Sequence, residues 1–254
     1  MLDVHPPHEA AHTWKDFFIH IATIVVGLLI AIGLEQSVEA VHRVHERHVL
    51  QHDLHAEAER NEQILTRDMD VLHRKSTYLV ALRSNVNALR HGASCATLPP
   101  LPEPDNEDPF LPSAGAWASA RDSSQLALLP REQASIYEEL YAQRDFLVQT
   151  VLNWFRSSVE LESFVSNAQA AEASNHLDPA KLTPEQQDQY AILLSHQITA
   201  MGSIIDSLSF YKAENAAVLR GVSNVDQLHQ QVLSPDAPTP PSTIKSDSSP
   251  RKNP

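Results

Sequence analysis

The apolar positions fall into one unbroken run and several periodic ones. Residues 17–34 read FFIHIATIVVGLLIAIGL, with no Asp, Glu, Lys or Arg and with His20 as the one strongly polar side chain. As a helix this run would span roughly 27 Å, close to the ~30 Å hydrocarbon thickness of a bilayer. Trp14 lies one turn outside it, where an indole favours the interface, and Lys15 can reach the headgroups. The run therefore predicts a transmembrane helix. A cleaved signal peptide would need a small-residue cleavage site, for which Ala31-Ile32-Gly33 is a faint match. The run is longer than an ordinary signal core, and the helical pattern continues past it. A core helix of a soluble protein would carry more polar positions.

Residues 35–91 contain neither Pro nor Gly. Leu54, Leu65, Leu72, Leu79, Leu82, Val86 and Leu89 fall at spacings compatible with steps of three and four, the seam of a helix packed on other helices. Asn61, Asp68 and Lys75 interrupt that seam. The pattern predicts one long juxtamembrane helix, continuous with the membrane helix, whose second half packs in a bundle. Gly92 is placed to end it. Residues 92–112 read as an exposed, extended linker, with six prolines and four acids between Thr97 and Pro112.

Residues 113–233 predict a helical region that packs on the long helix. A short helix over 113–128 would be capped by Ser113 and would carry Trp117, Leu126 and Leu128. A long one over 130–173 would begin with Pro130 at its first position and bury Tyr137, Leu140, Leu147, Val151, Trp154, Leu161 and Val165. Thr183-Pro184-Glu185-Gln186 supplies a cap, an N1 proline and an N3 glutamine, the strongest helix start in the chain. The helix it opens carries Tyr190, Leu194, Met201, Ile204, Leu208, Tyr211, Val218 and Val222, and is expected to end near Gly221 or run on toward Val232. Residues 1–16 read as an N-terminal tail and the Pro/Ser-rich residues 234–254 as a disordered one. The expected fold class is all-α: one N-terminal transmembrane helix continuing into a long helix, packed as an antiparallel bundle of three long helices and one short.

Charge narrows the partners. The net charge of -13 argues against nucleic acid, which needs clustered Lys and Arg. Only 6 glycines in 254 residues leave little room for phosphate-cradling loops. Cys95 is the single cysteine, so an intrachain disulfide is excluded and an intermolecular one is not.

The run IVVGLLIAIGLEQSVEAVHRVHERH resembles the N-terminal anchor of a group of uncharacterised bacterial single-pass membrane proteins. AWASARDSSQLALLP, residues 116–130, is similar to a second motif of that group. The resemblance covers about the first sixty residues and this motif. It implies a bacterial inner-membrane protein and carries no activity. Positive charge hardly orients the anchor, with Lys15 and the amino terminus on one side and Arg43 and Arg47 on the other. A short tail ahead of an anchor by default leaves the C-terminal domain outside. Thr23, Gly27 and Ala31 place small groups on one face of the anchor, where a second membrane helix could approach. Membrane lipid, a second copy of the chain or another membrane protein are thus the expected partners.

Two chemical leads arise. His8-Glu9-Ala10-Ala11-His12 matches the zinc-protease string H-E-x-x-H, but it lies in a tail with no third ligand and no walled cavity. His42, His45, His48, His52 and His55 are spaced 3, 3, 4 and 3. On a helix His45, His48, His52 and His55 share a face, and neighbouring imidazoles could bind Zn, Ni or Cu, or charge together near pH ~6.5. The competing reading is a solvated polar stripe. No nucleophile elbow, phosphate loop, C-x-x-C or EF-hand string occurs. The expectation is no enzyme and no cofactor, but a membrane-anchored helical binding or scaffolding protein. The alternative is a metal- or pH-responsive sensor built on the histidine stripe.

Overall fold

The computed structural model describes residues 14–105, 107–170 and 177–233. The protein is all-helical, with no strand among the described residues. Its helices are α1 (Trp14–Arg90), α2 (Gly115–Asp122), α3 (Arg131–Ala170), α4 (Pro184–Leu219) and α5 (Val225–Leu233). Single 3-10 turns occur at Cys95–Thr97, Gln125–Leu128 and Pro179–Lys181. The H-E-x-x-H string and the expected C-terminal tail lie outside the described residues. The expected N-terminal tail is shorter at its inner end, because α1 already includes Trp14. The chain divides into two compact units, Met1–Gln51 and His52–Pro254. Helix α1 contributes residues to both.

In the first unit, α1 carries a stretch near the N-terminus long and apolar enough to cross a membrane, and none of that stretch is buried. Phe17, Phe18, Ile24, Leu28, Leu29 and Ile30 all stand exposed. A core helix of a soluble protein would cover such side chains, each of which gains roughly 1.5–3 kcal/mol on leaving water.

The second unit is a bundle whose directions can be read from its cross-links. Asn215 of α4 donates to the Ala58 carbonyl of α1, Asn61 donates to the Tyr211 hydroxyl, and Arg90 pairs with Asp188. As α1 advances its partners recede along α4, so the two are antiparallel. Gln197 of α4 exchanges hydrogen bonds with Ser157 and Ser158 of α3, and Phe164 stacks on Tyr190 at 5.4 Å. That pair is antiparallel too. Helices α1 and α3 run the same way: Glu57 meets Tyr141, and Leu79 packs in the cluster that holds Leu161 and Val165. The predicted seam is the core. Leu54, Leu65, Leu72 and Val86 of α1 are buried with Leu140 and Leu147 of α3 and Leu194, Met201, Ile204 and Tyr211 of α4.

The linker makes the parallel pair possible. It begins where α1 ends in a Schellman turn: Gly92 takes φ 87°, its amide donates to Leu89, and the Ala93 amide donates to Ala88. The chain then returns along α1. Asn85 holds the Pro99 carbonyl at 3.0 Å, Lys75 holds that of Asp105 at 2.9 Å, and Asn61 bonds both the amide and the carbonyl of Ser113. From Asn85 to Asn61 the helix rises roughly 36 Å, and proline-rich chain at about 3.1 Å per residue covers that in some twelve residues. The linker is extended and mostly exposed, as its prolines dictate. It is also a docked strap, and two of the polar interruptions of the seam, Asn61 and Lys75, help dock it.

Local signals account for most boundaries. Thr183 and Gln186 form the expected capping box, each accepting from the other's backbone amide, at 3.2 and 2.9 Å. Gly221 at φ 82° ends α4, which does not run on; α5 is a separate helix. The helix expected over 113–128 is broken, because Ser124 takes a left-handed φ of 61° between α2 and the following 3-10 turn. Helix α3 begins one residue after Pro130, whose carbonyl accepts the first helical bond, from Ala134.

Candidate functional site

A cleft of about 530 Å³ opens between the strap and the bundle. Tyr78 and Leu79 of α1, Leu111 of the strap, Val151, Trp154, Phe155 and Leu161 of α3 and Met201 of α4 form its apolar walls. Its polar groups are few: Lys75, Asp105, Asp108 and Glu162, with Ser158 and Gln197. Ser158 and Gln197 bond each other at 2.7 Å, and Lys75 is held by the strap. The Trp154 indole N–H is buried and has no acceptor among the described residues. A volume of several hundred Å³, apolar walls and a few fixed polar groups are the usual makings of a ligand site. Trp154 was expected in the core; here it lines the cleft, and its neighbour Phe155 is exposed.

The strap that roofs this cleft is fixed by charge as well as by amide bonds. Arg74 bonds the Asp105 carboxylate at 2.7 Å, Arg67 donates to the Asp108 carbonyl at 2.9 Å, and the Arg67 guanidinium lies 4.0 Å over the Phe110 ring. The Glu107 amide, then Arg74, hold the Asp105 carboxyl below its ordinary range. Asp68 lies under the strap, 1% exposed, with Arg67 at 3.9 Å from one carboxylate oxygen and no close hydrogen bond to either. Burial pushes it above the ordinary value; the Phe110 amide and Arg67 only moderate that.

Glu57 anchors the far end of the strap. It is buried on α1, yet belongs electrostatically to the start of α2. It accepts from the Ser113 hydroxyl at 2.7 Å, the Ala116 and Trp117 amides at 3.1 and 3.3 Å, and the Tyr141 hydroxyl at 2.5 Å. Burial alone would raise its pKa; the bonds from Tyr141, Ser113, Ala116 and Trp117 outweigh burial and leave it lowered. Ser113, the expected cap, bonds the Gly115 amide weakly at 3.3 Å, while Glu57 takes the next two amides from another helix. Trp117 stacks on Tyr141 with ring centroids 5.0 Å apart and planes nearly parallel.

The histidine stripe stands on the exposed surface of α1. His45, His48, His52 and His55 are all exposed. His52 lies 3.4 Å from Asp53, His55 3.6 Å from Glu59, and His42 3.0 Å from Glu46. Three potential ligands from different helices converge elsewhere, at Glu139, Glu214 and His229. Burial, with Glu139 beside it, pushes the Glu214 carboxyl up to about 7. No spacing in the sequence could reveal this group, because its members come from α3, α4 and α5.

No family profile, curated protein or solved structure matches the chain.

Proposed function

We propose that this is a membrane-anchored helical binding protein, held in a bacterial inner membrane by residues 17–34, with the bundle outside and the cleft beneath the strap as its binding site. The observation that carries the reading is the cleft itself: apolar walls around the Trp154 N–H, a buried donor that a ligand's acceptor can satisfy. A buried donor left unmet costs about 1–3 kcal/mol, so an apolar ligand or partner segment presenting a carbonyl there would gain from pairing it. The resemblance of the anchor to bacterial single-pass proteins supports the localisation. The small-residue face of Thr23, Gly27 and Ala31 supports association with a second membrane helix.

The test is extraction of the full chain in mild detergent, wild type against Val151→Trp, which fills the cleft. A partner or ligand retained by wild type and lost from a folded Val151→Trp chain supports the reading. Bare monomer from both removes it. A reporter fused after residue 233 checks the orientation: inactivity in the outer compartment reverses it.

A second reading keeps the histidine stripe as a metal or pH sensor. Its support is the exposure of four imidazoles on one helix, with acids beside His52 and His55. Zinc titration of wild type and of His45→Ala/His48→Ala/His52→Ala decides it; equal affinities would sink it.

A further inference from the structure

Three helices bring one ligand atom each to a single point in the second unit. Glu139 comes from α3, Glu214 from α4 and His229 from α5, and their ligand atoms lie within 4.8 Å of one another. His229 Nε2 and a Glu139 carboxylate oxygen are 3.4 Å apart. Two ligands bound tetrahedrally at about 2.1 Å from one cation sit at nearly that separation.

Glu214 supplies the independent observation. It is 1% exposed, and its Oε2 is buried without a hydrogen-bond partner. Among the described residues no Lys or Arg forms an ion pair with it. A buried carboxylate facing a second carboxylate is relieved either by a proton or by a compensating positive charge. Glu139 and His229 are about half exposed, so an ion can reach Glu214 from solvent between them.

We propose that Glu139, Glu214 and His229 bind one divalent first-row transition cation, which ties α5 to α3 and α4. The donor set selects the class. One imidazole with two carboxylates suits Zn²⁺, Fe²⁺ or Mn²⁺ better than the all-oxygen preference of Ca²⁺ or Mg²⁺. With three protein ligands, the remaining positions fall to water. The tie matters because α5 has only nine residues, too few to persist as a helix without tertiary support. The site is independent of the cleft and of the histidine stripe.

The experiment uses the full chain in detergent, stripped by chelator, in a background where His42, His45, His48, His52 and His55 are alanine. Zinc is titrated by calorimetry, and cobalt by its visible absorbance, which reports imidazole and carboxylate coordination. One tight equivalent is expected in this background, with slowed amide exchange over residues 225–233. Adding Glu214→Gln is expected to weaken it by at least the ~10–100-fold that losing a mere outer-shell partner costs. His229→Ala, at an exposed position that does not threaten folding, is expected to do the same. The proposal fails if the background binds no zinc saturably. It fails equally if His229→Ala and Glu214→Gln, both folded by circular dichroism, keep the background's affinity.

Discussion

The Tyr141 hydroxyl donates to the Glu57 carboxylate at 2.5 Å, joining α3 to the residue of α1 that caps α2. Both side chains are buried, with Glu57 at 1% exposure and Tyr141 at 2%. Removing the donor leaves a buried carboxylate short of one bond. Tyr141→Phe is expected to lower stability by about 1.5–3 kcal/mol, as for a hydrogen bond to a charged group. Glu57→Gln weakens the same node, and the two losses should not add. A double-mutant cycle by urea unfolding of the second unit's helices checks this; strict additivity would mean the bond is energetically idle.

Glu57 and Asp68 should leave opposite pH signatures. The folded value of Glu57 lies below 4.5, so on acidification the unfolded chain takes its proton first. Its contribution is complete above that pH and is lost as pH falls through the folded value. The folded value of Asp68 lies above 3.8, so the folded state holds that proton more tightly. Its contribution is present at low pH and is lost as pH rises through the folded value. Melting temperatures from pH 3 to 7 are expected to fall less steeply toward acid in Glu57→Gln, and to decline less toward neutral in Asp68→Asn. A common slope for both variants would contradict these assignments.

Two polar residues of the same seam should differ in what they contribute. Asn61 satisfies the half-buried amide and carbonyl of Ser113 and also reaches the buried Tyr211 hydroxyl, so Asn61→Leu strands all three groups and is expected to cost about 2–4 kcal/mol. Asp68 is buried with only a long 3.9 Å ion pair to Arg67 and a weak contribution from the Phe110 amide, so Asp68→Asn at neutral pH is expected to be neutral or to stabilise by about 1 kcal/mol. Denaturant melts of the two variants give the comparison. A large loss for Asp68→Asn would mean its carboxylate has a role the seam does not show.

The strap should resist proteolysis despite its composition. A Glu-specific protease can attack the bond after Glu107, which is exposed in this proline-rich segment, whereas the bond after Glu103 is protected by Pro104. Arg74→Ala with Lys75→Ala removes the Asp105 contacts, which at about 0.5–1 kcal/mol each should raise cleavage roughly five- to thirtyfold. Cleavage timed by gel, with stability measured alongside, separates strap opening from global unfolding. Equal rates in wild type and variant would mean the strap is already open.

The apolar run, long helix, linker and bundle were legible because each announces itself locally. An eighteen-residue run without Asp, Glu, Lys or Arg, the capping box at Thr183, Gly92 and six prolines need nothing beyond their neighbours. The apolar seam was equally legible, since helical periodicity is a property of one element. The seam's polar interruptions carried a signal too. Asn61, Asp68 and Lys75 read as flaws in a helix–helix contact because they face the strap as well as helices; two of them grip the strap and Asp68 lies beneath it.

What the chain determined by itself was thus the class of each segment: apolar enough for a membrane, periodic enough for a bundle, proline-rich enough to stay extended. The tertiary structure alone decided direction and convergence. The strap's return makes α1 and α3 parallel, which sets Tyr141 against Glu57. Folding α4 and α5 back brings Glu214 and His229 to Glu139, from positions seventy-five and ninety residues away. The physical reason is range: caps and periodicity act within a few residues, whereas the cost of a buried carboxylate is settled by whatever the rest of the chain places beside it.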